Sequence, residues 1–370
     1  MGREEGLKGR TCLPVGREKT MDINIKKEEK VPLSGLSTFK IGGDASHLFR
    51  VSGIDDLKEA LAFAKVSNLP IQILGGGSNM LFHDDGFEGV IVRLESKGIR
   101  EEKKSGREEE GKADEDVYIR AEAGEEWDAF VEWTVSHGYF GLENLSGIPG
   151  TVGATPIQNI GAYGVEVKDF IESVEVFDTD RDLIRTLTPL ECKFGYRTSL
   201  FKGVAGKSLI VLSVTFKLSK LPNIKIGYKD LTNYFKDNTE PTPEEVREAV
   251  ISIRSAKFPD LTLFGTAGSF FKNVICESGI ADRLKAEYPD IPLYDAGENM
   301  KKISTAFILD KVCGLRDFRI GSVGLYTNQS LVVVNYGNAS SEEVRNFVSK
   351  VKEIVKEKTG IQLEEEVVIA

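Results

Sequence analysis

Apolar residues recur at helical spacing in "DLKEALAFAKV" (56–66), where Leu57, Leu61 and Ala64 share one face. Short apolar runs follow, "PIQIL" (70–74) and "GVIVRL" (89–94), and these predict strands on either side of "ILGGGSNMLF" (73–82). "VYIRA" (117–121) predicts a strand. Residues 126–136 predict a helix with Trp127, Phe130, Val131 and Val135 on its inner side. "ESVEVFD" (172–178), "LIRTLT" (183–188) and "SLIVLSVTFKL" (208–218) carry β signals. A helix starts at Thr242, with Pro243 in its first turn and Glu245 closing a capping box; Val246, Ala249, Val250 and Ile253 face inward. "SLVVVN" (330–335) predicts a strand. The helix from about 341 places Val344, Phe347, Val348, Val351, Ile354 and Val355 on one face and stops at Gly360. "IQLEEEVVIA" (361–370) then reads as a terminal strand. There is no internal repeat, and the whole reads as mixed α+β in three units.

Two stretches break the pattern. "EEKKSGREEEGKADED" (101–116) is dense in both charges and has no apolar residue larger than Ala113, which predicts a solvated excursion between strands. "NLSGIPGTVGATPIQNIGAYGVE" (144–166) is rich in glycine and nearly uncharged. Ordering such a stretch is costly in chain entropy, and a large flat ligand is a candidate for what orders it.

Composition narrows the function classes. The chain has 370 residues, 41% apolar and 29% charged, enough for a large core and two or three domains. The net charge of −10 argues against nucleic-acid binding, so an anionic ligand needs a local basic pocket. No apolar run is long enough to span a membrane, and the charged first 20 residues lack the apolar stretch of a secretory signal. The leader is expected to be a flexible tail, or Met21 to be the start. Cys12, Cys192, Cys276 and Cys313 are far apart and only three histidines are present, so no metal site is expected and the thiols read as free in a reducing cytoplasm.

Four segments carry candidate chemistry. The glycine loop is neither a G-x-G-x-x-G fingerprint opening a helix nor a P-loop, since no Gly-Lys-Ser/Thr follows. On its own it reads as a turn. "ECKFGYRTSLFKG" (191–203) sets Arg197 beside Gly195 and Tyr196; such an arginine is a surface residue at a turn or, in a cleft, a planar fork for a carboxylate. "GTAGSFFKN" (265–273) offers Ser269, Lys272 and Asn273 near two glycines. Strand alternation would put Ser269 and Phe271 on one face and Phe270 and Lys272 on the other. It is not a nucleophile elbow, and Ser269 suits a proton donor better than a nucleophile. Glu364, Glu365 and Glu366 form a solvated tail or, being framed by Leu363 and Val367, send one of Glu364 and Glu366 into a cleft.

In this order the segments "LSTFKIGG" (36–43), "ILGGGSNMLF", "GLENLSGIPGTVGATPIQNIGAYG" (141–164), "FGYR" (194–197), "RSAKFPD" (254–260) and "GTAGSFFKN" resemble the UDP-N-acetylenolpyruvoylglucosamine reductases, from about residue 31 to the end. "NIKIGYKDL" (223–231) looks like the subclass with a substrate-covering tyrosine loop. The resemblance implies a two-part FAD-binding domain of the vanillyl-alcohol-oxidase/PCMH type plus a C-terminal α+β substrate-binding domain. Its expected divisions are a leader (1–30), FAD subdomains at 31–94 and 95–258, a substrate domain at 259–360 and a terminal strand at 361–370 carrying the catalytic glutamate. It implies a cytoplasmic, monomeric enzyme of peptidoglycan synthesis, and so of cell-wall biogenesis, cell shape and division. NADPH would reduce FAD, and flavin N5 would pass a hydride to the enolpyruvyl ether of the UDP-sugar.

Residue by residue, the resemblance assigns FAD to Gly75, Gly76, Gly77, Ser78 and Asn79 around the pyrophosphate. It adds Gly147, Ile148, Pro149, Gly150, Gly153, Ala154, Gln158, Asn159, Gly161, Ala162 and Tyr163 along the flavin. Arg197 matches the arginine on the substrate carboxylate, Ser269 the proton donor, and Glu366 the acid that donates a hydrogen bond to the developing negative charge. Tyr196, Tyr228, Arg254, Lys257, Lys272, Asn273, Asn328 and Gln329 match positions around the UDP-sugar. Tyr326 stands where many relatives have a histidine, and the chain stops four residues after Glu366, which predicts a loosely anchored terminal strand. The competing readings are an FAD-dependent oxidase of the same superfamily and a flavin-binding protein without activity. Retention of Arg197, Ser269 and Glu366 together argues against the latter.

Overall fold

The computed structural model describes residues 25–103 and 115–370. The leader before residue 25 and most of the charged excursion therefore lie outside the described residues. The first strand, Lys27–Pro32, takes up the last residues assigned above to the leader, because it pairs antiparallel with Asp44–Val51.

Around that pair the first unit forms a four-stranded sheet in the order Lys27–Pro32, Asp44–Val51, Phe87–Leu94, Ile71–Leu74, with the last three parallel. The Ile54–Ser67 helix makes the crossover and buries Leu57, Ala60 and Ala64 against Phe49, Val51, Val90 and Val92. It ends where Asn68 turns left-handed, at φ 53°. The parallel arrangement leaves the glycine loop at the carboxyl end of Ile71–Leu74, from which the chain enters the two-residue strand Met80–Leu81.

The second unit is an antiparallel five-stranded sheet ordered Leu183–Leu187, Ile171–Asp178, Leu209–Ser219, Asp116–Glu122, Ile99–Glu102. The Trp127–Ser136 helix packs on it through Trp127, Phe130 and Phe216, whose ring centroids lie 5.0–5.9 Å apart. The Trp127 indole N–H donates to Leu145 O at 2.8 Å and so fixes the start of the glycine-rich segment to this core. Each such fully buried aromatic contributes roughly 1.5–3 kcal/mol.

The Pro243–Lys257 helix has the expected capping box, with Thr242 accepting from the Glu245 N–H and Glu245 from the Thr242 N–H. Val246, Ala249 and Val250 pack on Tyr163, Leu231 and Phe235. The third unit holds one sheet ordered Gly265–Ser269, Gln329–Asn335, Val323–Tyr326, Arg319–Ile320, and a smaller one ordered Val274–Glu277, Met300–Ile303, Leu293–Asp295. The Ser341–Thr359 helix covers it with Val344, Phe347, Val348, Val351 and Val355, and Gly360 ends it at φ 76°.

The terminal segment differs from the expected strand. Only Val368–Ile369 is regular, pairing parallel with Met80–Leu81, and Glu365 makes a single bridge to Phe271. Its anchorage is firm. The Val368 N–H donates to Asn79 O, the Ala370 N–H to Leu81 O and the His83 N–H to Ala370 O, at 2.9–3.0 Å. These bonds hold the segment in place, which corrects the expectation of a loose end.

Candidate active site

Two glycine loops face each other. A Cβ on Gly76 would lie 2.9 Å from Gly150 Cα, one on Gly75 2.6 Å from Thr151 Oγ1 and 3.5 Å from Ala154 Cβ, and one on Gly77 2.0 Å from Leu36 O. Gly77 also has φ +63°, so no side chain fits there on either count. Ser78 Oγ donates to Pro149 O at 2.8 Å and locks the loops together. Among the described residues, the N–H groups of Gly76, Gly77, Ser78, Asn79, Ile148 and Gly150 donate to no protein acceptor. Buried or half-buried backbone donors are nearly always paired, so this arrangement suits an anion held by main chain.

The second cluster is built from distant segments. A two-residue turn between Gly195 and Thr198 presents Tyr196 and Arg197, with Arg197 in the left-handed region at φ +53°. Such backbone strain collects at functional sites. Ser199 Oγ donates to Ile157 O at 2.6 Å, and Asn159 Nδ2 to Gly195 O at 3.0 Å, which ties the turn to the glycine-rich segment. Arg197 Nη2 donates to Gly161 O at 2.7 Å and Nη1 to Asn159 O at 3.4 Å. Its Nε lies 3.0 Å from Glu366 Oε1, an ion-pair contact without the alignment of a hydrogen bond, which leaves Nε unpartnered in that sense.

Glu366 is buried and pinned through its backbone. Its N–H donates to Phe270 O at 2.8 Å, and its carbonyl accepts from Asn79 Nδ2 at 3.3 Å. Asn79 also donates to Gln158 Oε1 at 2.8 Å, joining both glycine segments to the Arg197–Glu366 contact. Glu364 stays exposed and pairs with Lys272 at 3.1 Å, so Glu366 is the terminal glutamate that enters the cleft. Ser269 ends its strand one residue before Phe270, half-buried, and its hydroxyl has no protein partner among the described residues.

Simple alternation fails here. Phe270 and Phe271 are both buried, because the pairing with Gln329–Asn335 shifts register between Thr266 and Ser269, where Gly268 takes φ +77°. The bulge re-aims Ser269 relative to a regular strand.

Tyr196 OH accepts from the Asn273 N–H at 3.2 Å, and Asn273 Oδ1 accepts from the Thr305 N–H at 3.1 Å. Burial first pushes the Tyr196 phenol up, against the pull of Arg197. Tyr228 is half-exposed and meets Tyr163 edge to face at 5.4 Å. Tyr163 sits at φ +47°, and burial pushes its phenol up to about 12.

Residues 45–187 match the FAD binding domain family, and residues 260–370 match the C-terminal domain of UDP-N-acetylenolpyruvoylglucosamine reductase. The UDP-N-acetylenolpyruvoylglucosamine reductase of Chromobacterium violaceum is 40% identical over 350 residues, 94% of this chain and all of that one. That of Pseudomonas aeruginosa is 37% identical, covering 93% and 99%. This chain belongs to the UDP-N-acetylenolpyruvoylglucosamine reductase family. The fold agrees with that of the Thermus caldophilus reductase, with TM-score 0.62 and 24% identity over 94% of this chain and 98% of that one.

As a member of this family the chain is an FAD-dependent oxidoreductase, and the two loops fit the cofactor. They offer free main-chain donors in a cradle where added Cβ atoms would clash. Gly161 and Ala162 pair with Glu166 and Val165, and Ala162 packs beside Tyr163.

Some expected site residues have partners within the chain. Asn159 is fully buried and spends its side chain on Gly195 O, Glu166 and the Lys168 N–H, so it braces the turn. Gly153 is buried, and a Cβ added there would lie 2.6 Å from Ala123 Cβ. Arg254, expected at the substrate diphosphate, donates instead to Gly147 O at 3.0 Å and lies 4.7 Å from the Phe258 ring centre. Lys257 is paired with Asp230 on the Lys229–Tyr234 helix at 2.5 Å. Asn328 Nδ2 donates to Ala256 O, and Asn328 and Gln329 line a separate cavity of about 220 Å³ in which none of Arg197, Ser269 and Glu366 takes part.

Lys202 was missed by sequence reasoning, although it stands in the same "FGYRTSLFKG" stretch. The residue is exposed overall, yet its ammonium pKa is lowered, first by desolvation and then by Lys272, against the pull of Glu366. It feels the charges of Lys272, Glu366 and Arg197, which ties it to the same cluster.

Proposed function

We propose that the protein reduces the enolpyruvyl ether of UDP-N-acetylglucosamine enolpyruvate to UDP-N-acetylmuramate, with NADPH as reductant. The observation that carries this reading is the 3.0 Å approach of Arg197 to Glu366, beside the Ser269 strand end and joined to both glycine loops through Asn79. Bound FAD supplies the hydride. Everything else falls to the chain.

An arginine has five N–H donors, and here two are given to Gly161 and Asn159 carbonyls while Nε faces Glu366. One N–H on each terminal nitrogen is left for the substrate carboxylate, already oriented. Negative charge spreads onto that carboxylate when hydride reaches the terminal carbon; Arg197 meets it from a fixed position, and Glu366 serves there as a hydrogen-bond donor only in its acid form. Ser269, with a hydroxyl unclaimed by protein, gives the proton to the adjacent carbon. Lys202, Lys272 and Asn273, with Tyr196 and Tyr228, serve the diphosphate and sugar. The 223–240 segment, half-exposed at Tyr228, is read as the loop that covers the substrate, and Lys257 as its tether through Asp230.

In domain terms the first FAD subdomain takes in the Lys27–Pro32 strand and runs to about residue 94, the second is 95–258, the substrate domain is 259–360, and the terminal segment is 361–370. The partners are the UDP-sugar and NADPH, in the cytoplasm. Among the described residues no helix is long and apolar enough to cross a membrane, and no cluster could hold a metal ion.

Ser269→Ala separates the half-reactions. NADPH should still bleach the flavin at its normal rate, while reoxidation by the enolpyruvyl sugar slows about 100- to 1000-fold. Unchanged reoxidation would remove Ser269 from the reaction.

A further inference from the structure

Gly147 opens the Gly147–Gly150 loop at φ +67°, and it is held on both sides. Its N–H donates to Asp128 Oδ1 at 2.6 Å, and its carbonyl accepts from Arg254 Nε at 3.0 Å. Asp128 lies in the first turn of the Trp127–Ser136 helix and is gripped by the fork of Arg247, with Nη1 to Oδ1 at 2.6 Å and Nη2 to Oδ2 at 3.1 Å. Nη2 also lies 3.6 Å from the exposed Glu132. Arg247 is only 9% exposed, an expensive place for a charge unless its partner is fixed. Arg247 and Arg254 stand seven residues apart on the Pro243–Lys257 helix, so two turns of one face reach both sides of a single glycine. Burial pushes the Asp128 carboxyl up, but hydrogen bonds from Arg247 and the Gly147 N–H, with the charges of Arg247 and Arg254, outweigh it and hold its pKa below the usual value.

The contrast within the loop is informative. Gly147 has both peptide groups engaged, whereas Ile148 and Gly150 donate to no protein acceptor among the described residues. A glycine-rich stretch left to itself has many conformations, and most would not keep those donors free together.

We propose that Asp128, held by Arg247, is a positioning residue for the flavin: it fixes the Gly147 amide so that the Ile148 and Gly150 amides stay free for bound FAD. This rests on reading the 147–150 loop as part of the FAD site. Asp128 touches neither the reacting atoms nor the substrate in this role; it acts through Gly147.

The test is FAD affinity of the apoprotein, followed by quenching of flavin fluorescence, with thermal midpoints measured alongside. Asp128→Ala should weaken FAD binding roughly ten- to hundredfold. Asp128→Asn still offers an oxygen to the Gly147 N–H and should stay within about threefold of wild type. The double variant Asp128→Leu/Arg247→Met leaves no stranded cation, so it should keep a thermal midpoint near wild type and yet bind FAD as weakly as Asp128→Ala. A folded double variant with unchanged FAD affinity would overturn the role given to Asp128.

Hydrogen exchange on the wild-type protein gives an answer independent of any variant's folding. In the apoprotein the Gly147 amide should already be protected, while Ile148 and Gly150 gain protection only when FAD is added. Rapid exchange at Gly147 in the folded apoprotein would contradict the proposal. Failure of FAD to protect Ile148 and Gly150 would instead remove the loop from the flavin site, a different result from unchanged affinity with a protected loop.

Discussion

Arg197 concentrates several costs in one residue: a left-handed backbone, a half-buried charge, and a guanidinium committed to two carbonyls before any ligand arrives. Those costs make sense if the remaining donors must be oriented in advance. Arg197→Lys keeps the charge but loses the fork, so turnover should fall about 100-fold or more while flavin reduction by NADPH continues. Normal turnover in that variant would mean the charge alone suffices. At this scale the residues alone left Arg197 and Glu366 open, the family resemblance singled them out with Ser269, and the structure draws the three segments together. The sequence did not mark Lys202, whose position beside Lys272 and Glu366 depends on chain returning from far away. Nor did it reveal that Asn159 faces inward, because an asparagine in a glycine-rich stretch has the same letter whether it braces a turn or meets a ligand.

Among elements, helices with strong periodicity and capping residues were the most legible. The Ser341–Thr359 helix and its Gly360 stop follow from local rules, as does the Thr242–Glu245 capping box. The strand at Gly265–Ser269 was misread beyond its end because a bulge at Gly268 breaks the two-residue period, and a single sequence carries no sign of which glycine will do so. The Asp128–Arg247 pair, 119 residues apart, was equally invisible. It has a pH signature. Because the folded-state pKa of Asp128 is lowered from 3.8, its contribution to stability is complete above about pH 4–5 and is lost as pH falls below the ordinary value and through the folded one. The thermal-midpoint gap between wild type and Asp128→Asn should therefore be present at pH 7 and shrink as pH falls below 3.8. A gap independent of pH would mean that the carboxylate charge contributes nothing.

On the scale of the whole molecule, the C-terminal segment crosses back to the first unit, so the Gly75–Asn79 loop and Glu366 share a hydrogen-bonded frame. This return was not legible in the sequence, since a two-residue strand leaves almost no pattern. Deleting Val368–Ala370 removes the bonds to Asn79, Leu81 and His83 while leaving Glu366 in the chain. That truncation should weaken FAD binding and lower turnover per bound flavin by about tenfold or more, in keeping with a displaced catalytic group. Full turnover per flavin would show that Glu366 is placed by other contacts.

The central claim is that one cleft first accepts reducing equivalents from NADPH and then delivers them to an enolpyruvyl UDP-sugar. An anaerobic titration of the FAD-loaded protein, followed near 450 nm, tests both halves in one cuvette. NADPH should bleach the flavin, and UDP-N-acetylglucosamine enolpyruvate should restore its colour mole for mole. Bleaching by NADPH with no recovery on adding the enolpyruvyl sugar would contradict the account.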